Sequence, residues 1–396
     1  MSPSPSQVMD RSRAVADWII DLRRHFHQYP ELSDEEEKTA AKVVEVLQGL
    51  GVETRYPVGG HGVVGIIRGD GSRVVGLRAD MDALPITEEN DVEYRSRVPG
   101  VMHACGHDTH TAMLLGVARL AAEIKAQGQL PGTVCLYFQP AEEAVGGAER
   151  MIAAGALDPR PQYVIAQHAW PDLPVGSLAV SPGPVTAAVD ACDIEIRGFG
   201  GHGAAPHQTH DPVVAACQVV SALQTVVSRH LPPQDPGVVT VGSIHGGTKA
   251  NIIPPSVKLE VTVRNSTEAN RKTVEETIRR IANGTARAHG CEAMVDYRRG
   301  YPPIVNDEGV TARVRALAEE LLGEGRVHPS PMTMGGEDFS FFAQEIPGCF
   351  YRLGVSNPDK GFTGPVHNPR FDIDEDALWI GTGVMTAAAL RFLEEG

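Results

Sequence analysis

Cysteine is scarce: the 396 residues contain six, at positions 105, 135, 192, 217, 291 and 349, with no Cys-x-x-Cys pair and no dense framework. That excludes a disulfide-stapled secreted scaffold and fits reduced thiols in a cytoplasm. Long apolar runs are missing too. The N-terminal MSPSPSQVMDRSRAV has no apolar core of signal-peptide length, and no later segment approaches the roughly 20 apolar residues that a bilayer-spanning helix needs. Basic charge is in deficit, 35 Lys and Arg against 50 Asp and Glu, for a formal net charge of -15. Such a balance repels nucleic acid and anionic membranes and favours a soluble, freely diffusing protein, so any small anionic substrate must meet a locally positive site. No low-complexity tract or fixed-period repeat is visible, which disfavours solenoids. The length suits two domains, or one large domain carrying an insertion.

The patterning divides the chain. Ahead of Ala14 the residues read as frayed. AVADWIIDLRRHFHQYPE has helical apolar spacing and is stopped by Pro30, and DEEEKTAAKVVEVLQGLG is a second helix with acids in its first turn and Gly51 at its end. GVVGIIRG, SRVVGLRAD, TVCLYFQ and YVIAQH are continuous rather than alternating apolar strands, and they imply a sheet covered on both faces by helices such as TAMLLGVARLAAEIKAQG and AERMIAAGA. This half reads as a layered α/β domain. From about Ala187 the rhythm changes to strand DACDIEIRGF, helix DPVVAACQVVSALQTVVSRHL, strands VVTVGSIHGG and SVKLEVTVRN, helix EANRKTVEETIRRIANGTARAHG and strand CEAMVDYRR. This β-α-β-β-α-β order is that of a ferredoxin-like split unit. The expected organisation is a catalytic domain over 1–186 and 301–396 with an inserted domain over 187–300. After Gly300 the α/β pattern resumes with VTARVRALAEELLGE, GCFYRLGV and a final helix, EDALWIGTGVMTAAALRFLEE.

Four places put metal-binding side chains just after a strand or before a helix, where open α/β sheets build their sites: Cys105 and His107, Glu142 and Glu143, His168 at the end of YVIAQH, and His367 in GFTGPVHNP. Singly each has a commonplace reading. A lone histidine at a strand end is more often a structural hydrogen-bonder, an acidic pair in a loop is usually solvated, and an isolated CGH is more often a small buried thiol beside surface histidines. Their joint number and placement carry the functional case. A thiolate binds and can bridge zinc-like ions, and an imidazole two residues on reaches the same ion if the backbone is extended there, as Gly106 permits. A cysteine nucleophile activated by a neighbouring imidazolium stays open. In QPAEEAVGG, adjacent side chains of an extended segment point to opposite sides, so one carboxylate can bind a metal while the other takes the proton of an activated water. Two metals about 3.5 to 4 Å apart need about five protein ligands, the number that Cys105, His107, Glu143, His168 and His367 supply. In the inserted region, RGFGGHGAAPH places His202 amid glycines, as an exposed histidine of a turn or as an oxyanion donor. KANIIPP carries Asn251 and VTVRN carries Arg264, candidates for contacts to an anionic substrate; for Arg264 the solvent face of a strand is the stronger reading.

Taken together, RRHFHQYPELSDEE, RADMDALPI, MHACGHDTHTAMLLG, FQPAEEAVGGAERMI, QHAWPDLPVGSLAV, GFGGHGAAPH, ANIIPP, MGGEDFSFF and PVHNPRFDIDEDAL resemble the blocks of the amidohydrolase branch of the aminoacylase and carboxypeptidase dinuclear metallopeptidases. Hippurate hydrolases, N-acyl-amino-acid deacetylases, auxin-conjugate hydrolases and some thermostable carboxypeptidases form that branch. The resemblance covers nearly the whole chain in order. It implies a three-layer α/β/α metallopeptidase domain with an inserted α+β lid that dimerises. It further implies two divalent metal ions (zinc, manganese, cobalt or nickel) on Cys105, His107, Glu143, His168 and His367, with Cys105 where most other branches use aspartate. Glu142 becomes general base and then acid, His202 completes the site, often in the partner subunit, and Asn251 approaches substrate. The implied activity is hydrolysis of N-acyl-amino acids, N-acetyl or N-benzoyl, in a cytoplasmic homodimer or higher homo-oligomer. Carboxypeptidase or dipeptidase action on short peptides is the enzymatic alternative, and a non-catalytic metal-binding dimer the other. Asp80 stands where relatives carry a metal-ligand histidine oriented by an aspartate, which leaves the roles of Asp80 and Asp82 open. Thr109 stands where a glycine is frequent.

Overall fold

The structure, a computed structural model, describes residues 2–144, 146–361 and 364–395. Val145 of the acidic-pair block and Phe362 and Thr363 of the GFTGPVHNP block lie outside the described residues. The N-terminal segment expected to fray instead forms α1 (Pro5–Ala14): the Ser4 hydroxyl accepts from the Gln7 amide, the Gln7 side chain accepts from the Ser4 amide, and Pro5 takes the first helical position. This reciprocal cap offsets a polar composition that by itself argues for disorder. There follow α2 (Ala16–Gln28), α3 (Glu37–Gly49), β1 (Glu53–Arg55), β2 (Val63–Ile67), β3 (Val74–Asp80), α4 (His107–Ala126), β4 (Thr133–Gln139), α5 (Gly147–Ala153), β5 (Tyr163–Pro174) and β6 (Leu178–Ala179). The middle of the chain forms β7 (Ala188–Arg197), α6 (Pro212–Leu223), α7 (Thr225–His230), β8 (Gly237–His245), β9 (Ser256–Asn265), α8 (Glu268–Ala288) and β10 (Glu292–Arg299). The remainder gives α9 (Glu308–Leu322), β11 (Val327–His328), α10 (Phe339–Glu345), β12 (Gly348–Ser356) and α11 (Asp376–Glu395). No helix among the described residues is long and apolar enough to cross a membrane.

The chain divides into a first unit, Met1–Gly183 with Val305–Pro331 and Asp338–Gly396, and a second, Pro184–Ile304 with Met332–Glu337. No sequence signal marks the return of 332–337, which backbone hydrogen bonds fasten to the second unit: Ala187 N–H donates to Gly335 O at 3.0 Å and Thr333 N–H to Val185 O at 3.1 Å.

In the first unit one mixed sheet has the order β1-β2-β4-β3-β5-β12-β6-β11. The neighbours β4, β3, β5 and β12 run parallel, and β2 joins β4 antiparallel. Alternation within β4 shows how both faces are covered. Val134, Leu136 and Phe138 enter the core shared with α4 and α11, whereas Tyr137 points the other way and stacks on Phe342 of α10 with ring centroids 5.3 Å apart. Helices on both sides give three layers, the arrangement that continuous apolar strands require. The second unit shows the complementary pattern: its antiparallel sheet has the order β8-β9-β7-β10, the order of a ferredoxin-like unit. Cys192, Ile194 and Ile196 alternate inward with Val257, Leu259, Val261 and Val263 against α6 and α8, while Asp193, Glu195, Lys258 and Glu260 face outward. The single helix expected over 211–231 is interrupted at Gln224, where hydroxyls of Ser221 and Thr225 and the Gln224 amide bond back to carbonyls of the preceding turn.

Two features of the first unit generate tests. Helices α2, α4 and α11 approach through Gly116, where a Cβ would stand 2.8 Å from Thr382 Oγ1 and 2.9 Å from Ile19 Cδ1; Gly116→Val is therefore expected to destabilise by about 1–3 kcal/mol, read as a lower Tm. In the buried network of α2, Arg23 pairs with Asp108 and Asp372, both at 2.9 Å, and His27 donates from Nδ1 to Asp108 at 2.7 Å and from Nε2 to Glu88 at 3.2 Å. Burial and Arg23 act to lower the His27 pKa, but Asp108 and Glu88 outweigh them and it is raised. Its stabilisation is therefore complete below the unfolded value of about 6.5 and is lost as pH rises through the raised folded value. His27→Gln should cost more Tm near about pH 6 than near about pH 9; an equal loss at both would refute the imidazolium.

Candidate metal centre

β3 runs out at Asp80, and the next turn delivers Asp82, fully buried, to the first residue of α4. His107 Nδ1–H donates to Asp82 Oδ1 at 3.1 Å, while Asp82 Oδ2 accepts from Ser33 Oγ at 2.6 Å and from the Glu143 amide at 2.9 Å. The carboxylate thus fixes the His107 tautomer and presents Nε2 to the opposite side. The extended backbone expected between Cys105 and His107 is not found: Gly106 is left-handed at φ 90° and packs so closely that a Cβ would lie 3.0 Å from that of Ala169. This turn, open to glycine at little cost, is what points both side chains the same way.

His168 was expected at a strand end but lies inside β5, because pairing with β12 continues to Pro174 opposite Ser356. Its Nδ1–H donates to Ala169 O at 2.8 Å, leaving the Nε2 lone pair 3.5 Å from Cys105 Sγ. The acidic pair also differs from expectation. Glu142 and Glu143 sit in a turn closed by Gly146 N–H donating to Ala141 O at 3.0 Å, with Ala141 at φ 55°. The two carboxylates accordingly converge rather than diverge: their oxygens and a nitrogen of His107 all lie within 4.8 Å of one another. His367, half-exposed and at φ 62°, is held by its N–H donating to Ala104 O at 2.7 Å, and its Nε2 is 3.1 Å from Glu143 Oε1.

The five proposed ligands come together as two overlapping triads, Cys105-His107-His168 and Cys105-Glu143-His367, each with its donor atoms within 4.8 Å. Cys105 is common to both, the position that a bridging thiolate would take. The residues fit divalent cations on an independent count: His107 Nε2 is buried yet makes no hydrogen bond, which costs about 1–3 kcal/mol unless something else satisfies it. Sulfur, imidazole and carboxylate donors suit zinc and its first-row neighbours. Burial, helped by Glu143, raises the Cys105 thiol, whereas burial and His110 lower His168 and keep it a neutral imidazole. Burial would also lower His107, but Asp80, Cys105 and Asp82 prevail and its pKa is raised.

Asp80, Asp82 and His110 had no settled role in the sequence. Asp80 accepts from His110 Nδ1–H at 2.5 Å, and His110 Nε2 accepts from the Ala169 amide at 2.8 Å, the same peptide segment whose carbonyl holds His168. With both nitrogens engaged, His110 has no free lone pair and buttresses the candidate ligand His168. Arg78 donates to Asp80 at 2.7 Å, to Asp338 at 2.9 Å and to Gln139 at 2.8 Å. A signal existed: Arg78 and Asp80 stand two residues apart, on one face of an otherwise apolar strand, with Asp82 just past its end. His103 is buried with neither ring nitrogen hydrogen-bonded, its pKa pushed down to about 4 by burial, and belongs to neither triad.

In the second unit, Gly201–His202 pairs with Ile252–Ile253, and Gly203 N–H donates to Asn251 O at 2.9 Å, so His202 and Asn251 share one exposed ribbon. His202 Nδ1 accepts from the Ala204 amide at 3.0 Å, which leaves the proton on Nε2. Arg264, half-buried on β9, bonds its own strand, to Thr262 Oγ1 at 2.7 Å and Val263 O at 3.0 Å.

A family model described as peptidase family M20/M25/M40 matches residues 76–391. "Thermostable carboxypeptidase 1" of Saccharolobus solfataricus is 41% identical over 385 residues, 96% of each chain. "N-acetyl-L-cysteine deacetylase" of Bacillus subtilis is 40% identical over 377 residues, 95% of this chain and 88% of that one. Among solved structures, a Bacillus subtilis protein described as a dinuclear metal binding peptidase from the M20 family superimposes with a TM-score of 0.85 at 34% identity, covering 96% of this chain and 99% of the other.

Cys105→Ala tests the shared thiolate. It should lose bound cation together with activity, measured by elemental analysis beside turnover; inactivity at full cation content would instead favour a cysteine nucleophile.

Proposed function

We propose, for a chain that belongs to peptidase family M20/M25/M40 and is a hydrolase of amide bonds, that it cleaves N-acyl-amino acids of the N-acetyl or N-benzoyl type to a carboxylic acid and a free amino acid. The observation that carries this reading is the convergence of Glu142 with Glu143 and His107: a carboxylate outside the two triads stands beside ligands that belong to them. Cys105, His107, Glu143, His168 and His367 would hold two divalent cations, which would supply Lewis acidity able to bring the pKa of a water to about 7. Glu142, buried in its turn, takes the proton of the attacking water as the new bond to the amide carbon forms. It then delivers that proton to the nitrogen as the C–N bond breaks. His202, with its proton on Nε2, serves as oxyanion donor in this reading, and Asn251 as an amide contact to substrate.

A homodimer through the second unit belongs to the same proposal. Val213 and Val214 of α6 and Ile244 of the edge strand β8 are exposed, and exposed apolar side chains together with an open edge strand suit a self-complementary interface. The six free thiols support a cytoplasmic setting.

Glu142→Gln should keep its cation content and lose roughly 10²- to 10⁴-fold in turnover of N-acetyl and N-benzoyl amino acids; near-normal turnover would sink the mechanism. The same assay on unblocked dipeptides separates the amidase from the peptidase reading, which the carboxypeptidase relative keeps in play.

A further inference from the structure

Glu36 behaves unlike the acids around it. In the run Asp34-Glu35-Glu36-Glu37 its neighbours are exposed while Glu36 is fully buried. It occupies the cap position of α3, yet its side chain does not cap that helix. Instead Oε1 accepts from the Ala141 amide at 2.7 Å, a bond spanning 105 residues. Ala141 immediately precedes Glu142 and is left-handed at φ 55° without being glycine, a conformation that costs an L-residue roughly 1–2 kcal/mol unless its surroundings impose it. Oε2 of Glu36 is buried with no hydrogen bond. Burial, the chief cause, raises the Glu36 pKa to about 7. Carrying a carboxyl into such a place is unfavourable in itself, and what it accomplishes there is the hold on one amide. Two residues on, the Glu143 amide is held in the same way by Asp82 at 2.9 Å.

We infer that Glu36 is the positioning residue of Glu142: by gripping the amide before it, while Asp82 grips the amide after it, Glu36 fixes the backbone direction from which the Glu142 carboxylate reaches the substrate water. The inference rests on Glu142 being the general base. Displacing a reacting group by about 1 Å can cost about 10²-fold in rate, so the effect belongs in kcat and not in binding of substrate or cation.

The test compares Glu36→Ala, Glu36→Asp and Glu36→Gln in the full-length protein loaded with cation, reading kcat, KM, cation content and Tm. Glu36→Gln keeps an acceptor oxygen at the same reach and should stay within about 3-fold of the parent kcat, whereas Ala and the shorter Asp should each lose about 10- to 100-fold with KM within about 3-fold and cation content unchanged. A double variant isolates the route: added to Glu142→Gln, Glu36→Ala should change the residual rate little, since a positioning effect vanishes with the group positioned. The inference falls if Glu36→Asp keeps kcat within about 2-fold of the parent, if Gln is as impaired as Asp, or if rate loss tracks cation loss. Should Ala fail to fold, the Asp and Gln pair still decides. Substantial activity in Glu142→Gln alone would overturn the general-base reading, while an inactive Glu142→Gln beside a normal Glu36→Asp would overturn only the role of Glu36.

Discussion

Asp82 accepts hydrogen bonds from three separated parts of the chain: the Ser33 hydroxyl ahead of α3, the His107 imidazole at the start of α4 and the Glu143 amide after β4. Burial opposes its ionisation, yet these donors more than compensate and its pKa is lowered. The carboxylate is therefore a fixed negative charge, and the candidate ligands His107 and Glu143 take their places around it. The sheet explains why they can meet. The chain passes from β3 through α4 to β4 on one side, then on to β5 on the other, in the order β4-β3-β5. The sequence of strands reverses at β3, so loops at the carboxyl ends of these neighbours open a crevice there, the usual place for a site in an open parallel sheet.

The site also has a charge imbalance that its own side chains leave in place. Glu143 stands beside the buried Cys105 thiol with Glu142 next to it, and Arg78 is committed to Asp80 and Asp338. Like charges this close repel one another in low dielectric, a repulsion that bound cations would relieve. The tautomers point the same way: His107 and His168 both use Nδ1 to bind protein acceptors and turn Nε2 inward, the form in which imidazole ligates a metal. Ligand-like orientation, an orphaned imidazole nitrogen and converging carboxylates are separate observations that agree.

Much of this was legible in the residues. The layered sheet followed from the continuous apolar runs at β2 to β5, and the ferredoxin-like order of β7 to β10 from the switch to strict alternation, because both patterns report which faces are buried. Single-chain patterning shows burial, not what approaches a buried group from elsewhere. Asp80, Asp82, His110 and Glu36 have partners 30, 25, 59 and 105 residues away. Local geometry was misjudged for a related reason: extended backbone was expected at 105–107 and 142–143, whereas Gly106 and Ala141 are left-handed. A Gly only permits that conformation, and nothing in Ala announces it.

Non-glycine residues with positive φ among those described are Asp34, Ala141 and His367, all in segments that feed the site: Asp34 two residues before Glu36, Ala141 before the acidic pair, and His367 a ligand candidate. Strain of this kind persists where the surroundings over-determine it. Here the restraints are visible, Ala141 N–H donating to Glu36 at 2.7 Å and His367 N–H to Ala104 O at 2.7 Å. Both of these amides are tied to a part of the first unit whose position the core sets, α3 through Val43 and Leu47 and the 102–104 segment through Met102 and Ala104. A left-handed residue released from such a tie relaxes toward the right-handed region and swings the next side chain with it. The geometry of the candidate ligands is therefore held by backbone anchors at a distance from them, and the three-layer core is what keeps those anchors still.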